Sequence, residues 1–482
     1  MLASFAVSLT LAWLLDIRFD EAFTLNTTGH GAIYAYNHAI RFEQQAPFYF
    51  VVLSLWRNVD ASILFARLFS VICFPLTVWI AAEAAKRYIK NVNPLIVAAI
   101  VALHQQVLWS SLDIRLYSFM TLLAGLLFVL FYDGYLAERP KTSSRVLYAL
   151  VALVSLYTQY YLGFQLAAGA VALLAIKDWR SLRRYVIDMA IVGVYFLPMI
   201  FVLKTQVSEV GDRTFDPPSM FLLFKGLYQQ IVSLFLSVNW IGAEGVKRWF
   251  VRVIIGFIAI LFFRKVVAER KREDIALAAF TIVLIGIFLG VYRFLGDEGL
   301  QQRHISSLIL PLTLIPVAAL SYLGNKRLIY GWLILATLLN IGSLITAYAP
   351  MAKPGDFRRV GQYLMANETP NEPVLVFHSD AVLALKYFYT GQNNLVALPQ
   401  ENDLEDWNPR KNVLTDEAQI LGVINRQPNA PQRFWLVSDG WCAQGSLSYN
   451  CDLLEDVVDK YFVVESTKEF MEPTTVRLLR RK

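Results

Sequence analysis

The stretch Arg18-Phe19-Asp20-Glu21-Ala22-Phe23-Thr24 sets two carboxylates side by side directly after a short apolar segment, Leu2 to Leu15. So placed, they lie close to a bilayer surface, as acceptors for polar groups arriving from water. The plain alternative is a solvated helix end. The loop that follows favours a functional role, because it is dense in aromatics and amides and contains Gln44-Gln45-Ala46-Pro47-Phe48-Tyr49-Phe50. A second constellation, Trp109 to Ser118, carries Asp113, Arg115 and Tyr117 at the mouth of an apolar run. Arg115 is suited to bind an anionic group or to orient a carboxylate from the first loop. Alternatively, it pairs with Asp113 or snorkels. A third runs from Asp297 to His304, with Arg303 and His304 heading another apolar run. The fixed donor fork of Arg303 fits the oxygens of a lipid-linked phosphate; interfacial anchoring is the alternative.

These residues are spaced along a chain of 482 residues that is 56% hydrophobic and only 17% charged. A soluble protein of this length carries nearer a quarter of charged residues. About eleven apolar segments account for the difference, at 2–15, 62–84, 94–109, 117–136, 146–158, 162–176, 185–203, 250–263, 274–292, 304–323 and 328–348. An isolated spanning segment must satisfy its own backbone groups, so these are expected to be helices. The fold class is therefore a polytopic α-helical membrane protein. Leu2–Leu15 lacks a preceding basic region and a small-residue cleavage site, so it reads as a signal anchor.

The net charge of +6 does not point to nucleic acid, because the basic residues cluster in short loops. One alternating set holds Lys86, Arg87 and Lys90; Arg139, Lys141 and Arg145; Lys177, Arg180, Arg183 and Arg184; Arg264 to Arg272; and Lys326 with Arg327. Basic loops are cytoplasmic. The 16–61 loop, the 110–116 turn, the 204–249 segment, the 293–303 loop and the C-terminal tail are then expected outside. Tyr157 to Tyr161, at an outer turn, reads as interfacial anchoring, with stacking on a sugar as the alternative. Met220 to Leu236, within the 215–240 segment, reads as an amphipathic run in the interface.

The tail, 350–482, changes in composition. Glu372–His378 reads as a buried strand, Asp380–Tyr389 as a helix with Asp380 at its N-cap, and Arg433–Ser438 as a second strand. Strand, helix and strand predict a small extracytoplasmic α/β domain, set apart from a membrane domain over 1–349. Of three cysteines, Cys73 falls inside a span, while Cys442 and Cys451 stand close together in the tail. An isolated pair in an extracytoplasmic domain is a disulfide candidate, with two separate buried thiols as the alternative.

Together these motifs resemble the GT-C class of membrane glycosyltransferases, and within it the glycosyltransferase family 39 type, which includes protein O-mannosyltransferases and aminoarabinose transferases acting on lipid A. The resemblance rests on Asp20-Glu21, Gln45-Ala46-Pro47-Phe48-Tyr49, Ala66-Arg67-Leu68-Phe69-Ser70, Asp113-Ile114-Arg115-Leu116-Tyr117 and Arg303-His304, in order over residues 1–323. Gln45 stands where the family often has His, which removes a possible contact to a divalent cation; no metal ligands are assigned. The resemblance implies a polyprenyl-phosphate sugar donor, an acceptor hydroxyl on a lipid, glycan or protein, and inverting displacement at the outer face of the cytoplasmic (inner) membrane. It implies Asp20 as the base, Glu21 as the residue that positions it or touches the sugar, and Arg303 as the group that stabilises the leaving phosphate. Asp113, Arg115, Tyr117, His304 and Tyr49 complete the expected substrate-binding set.

Two rival classes differ in testable ways. A transporter or flippase for a lipid-linked glycan places ionisable groups near mid-membrane, whereas here the polar groups sit at the outer ends of the apolar runs. A non-catalytic assembly subunit leaves Asp20 and Glu21 without a role.

Overall fold

The computed structural model describes residues 2–211, 220–238, 240–242, 244–349, 351–427, 431–444, 447–471 and 474–482. The chain forms two compact units. One comprises Met1–Ala12, Gly31–Tyr36 and Gln45–Ala347; the other comprises Trp13–His30, Asn37–Gln44 and Tyr348–Lys482. The first helices in chain order are α1 (Leu2–Leu14), α2 (Phe19–Thr28), α3 (Ala32–Arg41), α4 (Phe48–Arg57), α5 (Ile63–Tyr88), α6 (Pro94–Ala102), α7 (Gln105–Ser111) and α8 (Tyr117–Phe131).

The first unit is helical. Among the described residues, six helices are long and apolar enough to cross a bilayer, or seven if the bent pair α6–α7 is one span. This is fewer than the roughly eleven apolar segments suggest, and length explains most of the difference. The helices Leu2–Leu14, Thr142–Thr158 and Leu162–Ala175 have 13, 17 and 14 residues, short of the ~20 that a ~30 Å core requires. The 250–263 run lies in a 26-residue helix, Glu244–Glu269, but its uninterrupted apolar stretch ends at Arg252 and Arg264. The 94–109 run is broken: α6 and α7 meet at 58°. His104 makes the break. Its Nδ1 accepts from the Gln106 N–H at 3.2 Å, and its Nε2 donates to the Leu234 carbonyl at 2.8 Å.

Burial separates central from peripheral helices. Within the apolar 18-residue stretches of Tyr117–Leu136 and Gln302–Ser321, 78% and 89% is buried, against 11% for that of Trp179–Val207, whose apolar surface is left for lipid. Four of the five basic loops are tied to one another by ion pairs. Arg87 grips Asp133 through Nε and Nη2 at 2.9 and 2.8 Å. Arg145 grips Asp188 through both Nε and Nη2 at 2.9 Å. Lys90 meets Glu273 at 3.3 Å, and Arg272 pairs with Asp178. Forked guanidinium–carboxylate pairs of this kind fix geometry as well as charge.

The second unit is built on a five-stranded sheet. Its strands are β1 (Val374–Phe377), β2 (Leu395–Leu398), β3 (Arg433–Ser438), then the short hairpin β4 (Ala443–Gln444) and β5 (Leu447–Ser448), then β6 (Phe462–Glu469) and β7 (Thr475–Arg481). The sheet order is β2-β1-β3-β7-β6. β1 pairs in parallel with both β2 and β3, while β7 runs antiparallel to β3 and β6. Every side chain of β1 is buried, as befits an apolar run at the centre of a parallel sheet. The core includes Leu375, Phe377, Leu398, Phe434 and Leu436. The tail thus contains the expected strand–helix–strand, with a further strand, Leu395–Leu398, between the two foreseen. Asp380 stands at the N-cap of the helix Ala381–Lys386 but makes no capping bond. Cys442 and Cys451 form a disulfide that closes the loop around β4 and β5, and Cys73 is a buried free thiol.

Candidate functional site

The candidate residues fall into two groups, one in each unit. In the second unit, the Asp20–Glu21 pair begins α2, where acidic side chains favour the positive end of the helix dipole. The two carboxylates occupy different environments. Asp20 is partly exposed, whereas Glu21 is fully buried. Glu21 Oε2 accepts from the Arg18 N–H at 3.0 Å, closing the first turn of the helix. The same oxygen accepts from Lys353 Nζ at 2.6 Å, and Lys353 is itself only 2% exposed.

Lys353 lies 332 residues further on, in a turn, Lys353-Pro354-Gly355-Asp356. The Lys353 N–H donates to Asp16 Oδ1 at 2.9 Å. Gly355 has φ +98, a conformation that L side chains rarely adopt, and a Cβ there would collide with the Phe357 ring. The turn closes with the Asp356 N–H on the Lys353 carbonyl at 3.0 Å. Burial raises the Asp16 carboxyl to about 6, against the opposing pull of Lys353. Arg358 Nη1 donates to the Leu14 carbonyl at 3.0 Å, which fixes the approach to α2. Glu21 is therefore buried and ion-paired, while Asp20, the residue before it, is partly exposed.

Asp16 and Lys353 were not singled out from the sequence. Asp16 ends an apolar run and Lys353 sits in a Pro-Gly turn, both ordinary places for a charge. Only burial of both reveals the pair.

In the first unit, Asp113, Arg115, Tyr117 and His304 are all buried. Asp113 and Arg115 lie in the short connection between α7 and α8, and Tyr117 is the first residue of α8. Arg303 and His304 belong to a tight 3-10 turn, Gln302–Leu308. His304 Nδ1 accepts from the Gln301 N–H at 3.1 Å, and its Nε2 is 3.4 Å from the Tyr117 hydroxyl. Since Nδ1 is the acceptor, the neutral ring carries its proton on Nε2. Arg303 lies over the Tyr117 ring, 5.1 Å from its centroid, which is cation–π distance. Tyr161 joins the cluster, its ring 5.2 Å from that of His304.

This group holds a guanidinium, an imidazole donor and phenols within one cluster, a donor set that matches an anionic oxygen ligand. The structure therefore brings Tyr117, Arg303 and His304 together. Tyr49 is fully buried, packed on Phe50 and Phe69 with ring centroids 5.4 and 5.8 Å apart. Gln45 Oε1 accepts from Gln159 Nε2 at 3.4 Å, linking the first loop to the turn that carries Tyr161. The side chains of Asp297 and Glu298, and positions 215–219 of the expected interfacial segment, lie outside the described residues. Position 239 is likewise outside them, and Met220–Phe235 of that segment forms a helix. Among the described residues no group of three or more His, Cys, Asp and Glu side chains is arranged to hold a metal ion.

No protein-family model and no curated protein matches the chain. Solved structures do. The chain is similar to ArnT from Cupriavidus metallidurans in the apo state, at 13% identity over 99% of this chain and 97% of that one, with a TM-score of 0.58. It is equally similar to that protein bound to undecaprenyl phosphate, at 12% identity, the same coverage and the same TM-score of 0.58. At such identities the likeness is one of fold: the chain is a multi-pass membrane protein with a GT-C fold and a sheet-containing C-terminal part.

Proposed function

We propose that the protein is an inverting glycosyltransferase that moves a sugar from a polyprenyl-phosphate donor to an acceptor hydroxyl. The observation that carries this reading is the division of labour in the acidic pair. Of two adjacent carboxylates, Glu21 is buried against Lys353 while Asp20 is partly exposed. That is the arrangement a single general base requires. The GT-C fold, and the undecaprenyl phosphate bound by the ArnT structure of the same fold, support the choice of donor.

In the proposed reaction, the acceptor hydroxyl gives its proton to the Asp20 carboxylate as its oxygen bonds to the anomeric carbon. The bond from that carbon to the phosphate oxygen breaks, and its electron pair leaves on polyprenyl phosphate. Backside displacement inverts the anomeric centre. Arg303, with the His304 Nε2–H, stabilises the negative charge growing on the leaving phosphate, and Arg115 holds an anionic neighbour. Glu21 acts as a positioning residue: through the Arg18 N–H it fixes the helix turn on which Asp20 stands.

The chemistry is assigned to the outer face of the cytoplasmic membrane, with the C-terminal part on that same side, because the ion-paired basic end of the helices is the expected cytoplasmic end. The test is transfer of radiolabelled sugar from polyprenyl-phosphate donors to a membrane extract by protein in lipid. Wild type is expected to transfer, and Asp20→Asn to bind donor but not to transfer. Undiminished transfer by Asp20→Asn overturns the assignment of the base.

A further inference from the structure

The second unit contains a cavity that the reaction above does not use. It lies at the carboxyl ends of β1 and β2, with a volume of about 90 Å³. Ser379 and Asp380, which follow β1, form one side; Glu401 and Asn402, which follow β2, form another. In open sheets with parallel strands, ligands bind outside the carboxyl ends of those strands, and β1 and β2 are such a parallel pair.

The walls are built rather than incidental. Asp380 is 7% exposed. Its Oδ1 accepts from Asn402 Nδ2 at 2.6 Å, and its Oδ2 from Asn412 Nδ2 at 2.9 Å. Each carboxylate oxygen can accept a second hydrogen bond, so the group is oriented with acceptor capacity to spare. This is why Asp380 does not cap its own helix. Asn402 Oδ1 is occupied by the Leu404 N–H at 3.0 Å, which fixes the amide. The Leu404 carbonyl is held by His38 Nε2, which pins the loop that closes the cavity. Lys386 and Glu401 stand exposed at the mouth, and Phe23 lines the wall.

The composition selects a ligand class. Two carboxylates against one ammonium disfavour a phosphate or a carboxylate. An oriented carboxylate beside an amide and an ammonium suits vicinal hydroxyls, which both donate and accept. Phe23 adds an apolar wall for the C–H side of a sugar ring. Size narrows this further: a space of about 90 Å³ admits part of a sugar ring rather than a whole oligosaccharide. Phe23 also supplies the link to chemistry. It sits three residues after Asp20 on α2, and residues three apart share a helix face.

We propose that this cavity is a saccharide subsite that seats a non-reacting sugar unit of the acceptor, so that the acceptor is a glycan or glycolipid. The proposal rests on the transferase reading for its role but not for its existence. It is tested by saturation-transfer NMR on the full chain in lipid nanodiscs, with methyl glycosides of glucose, galactose, mannose and arabinose as probes and glycerol as the control. At least one glycoside is expected to bind saturably. Ala397→Trp, which fills the cavity, is expected to abolish that binding. Glu401→Ala and Lys386→Ala, exposed and safe for folding, are expected to weaken it several-fold.

No saturable binding to wild type, binding that survives Ala397→Trp in a folded protein, or glycerol binding as well as the glycosides each overturns the proposal. Sugar transfer measured on the same preparations keeps the two readings apart. Transfer to glycan acceptors with an unchanged KM in Ala397→Trp sinks the subsite and leaves the transferase standing. Glycoside binding lost in Ala397→Trp, with no transfer by wild type, does the reverse.

Discussion

Replacing Lys353 by Met keeps most of the aliphatic stem and removes the ammonium from a site where the partner, Glu21, has no exposure at all. The lost contact is a 2.6 Å charge-assisted hydrogen bond. Breaking one side of a buried ion pair costs roughly 3–5 kcal/mol, because the remaining charge is stranded in a low dielectric. Lys353→Met is therefore expected to destabilise the second unit by that amount at pH 7. The double variant Glu21→Gln/Lys353→Met strands no charge, and its amide oxygen still accepts the Arg18 N–H, so it is expected to regain most of the loss. Pulse proteolysis in urea, with cleavage followed in the C-terminal part, reads these differences directly. A Lys353→Met protein within about 0.5 kcal/mol of wild type, the range of an ordinary surface change, would refute the reasoning. So would a double variant no more stable than the single one.

Further outcomes follow from the other sites. Burial raises the Asp16 carboxyl to about 6, so the folded state holds this proton more tightly than the unfolded state does. Its stabilising effect is complete below about pH 4 and is lost as pH rises to about 6, a change of about 3 kcal/mol. Asp16→Asn should lack that slope and exceed wild type in stability at pH 7 but not at pH 4, as read from urea midpoints at each pH. The Cys442–Cys451 bridge spans a separation of 9 residues, for which loop-closure entropy gives about 2.5 kcal/mol. The Cys442→Ser/Cys451→Ser pair should lose about that much in the same proteolysis assay. Arg303→Ala should lower kcat for sugar transfer by about 10²-fold or more if the guanidinium meets charge formed in the transition state. A rise in KM with unchanged kcat would instead assign Arg303 to ground-state binding.

Much of the architecture is legible in the amino-acid sequence, because lipid and charge act locally. Apolar runs, and basic residues confined to alternate loops, mark a helical membrane protein without reference to any contact. The buried run Val374–Phe377 likewise announces a central strand. Span number is less legible, since an apolar stretch does not reveal that His104 will break it or that a helix such as Leu162–Ala175 is too short to cross alone. β2 was missed because Leu395–Leu398 is only four residues long between an Asn pair and Pro399. The exposed edge strand β6 was missed because charged residues interrupt its alternation. At the candidate site, Asp20 and Glu21 look equivalent in the sequence. What distinguishes them is a lysine 332 residues away, and no local pattern carries that information. The cavity beside Asp380 was hidden for a related reason: an Asp before a helix reads as a cap until its bonds to Asn402 and Asn412 are seen.

The most direct test of the central claim is the stoichiometry and stereochemistry of one turnover. Protein in nanodiscs would be given a polyprenyl-phosphate sugar of known anomeric configuration with an accepted acceptor, and the products resolved by NMR. The proposed displacement at Asp20 requires one polyprenyl phosphate released per glycoside formed, with the anomeric configuration inverted. A glycoside of retained configuration would contradict direct displacement. Donor carried across a sealed bilayer without release of polyprenyl phosphate would contradict the transferase itself and mark the protein as a carrier of lipid-linked sugar.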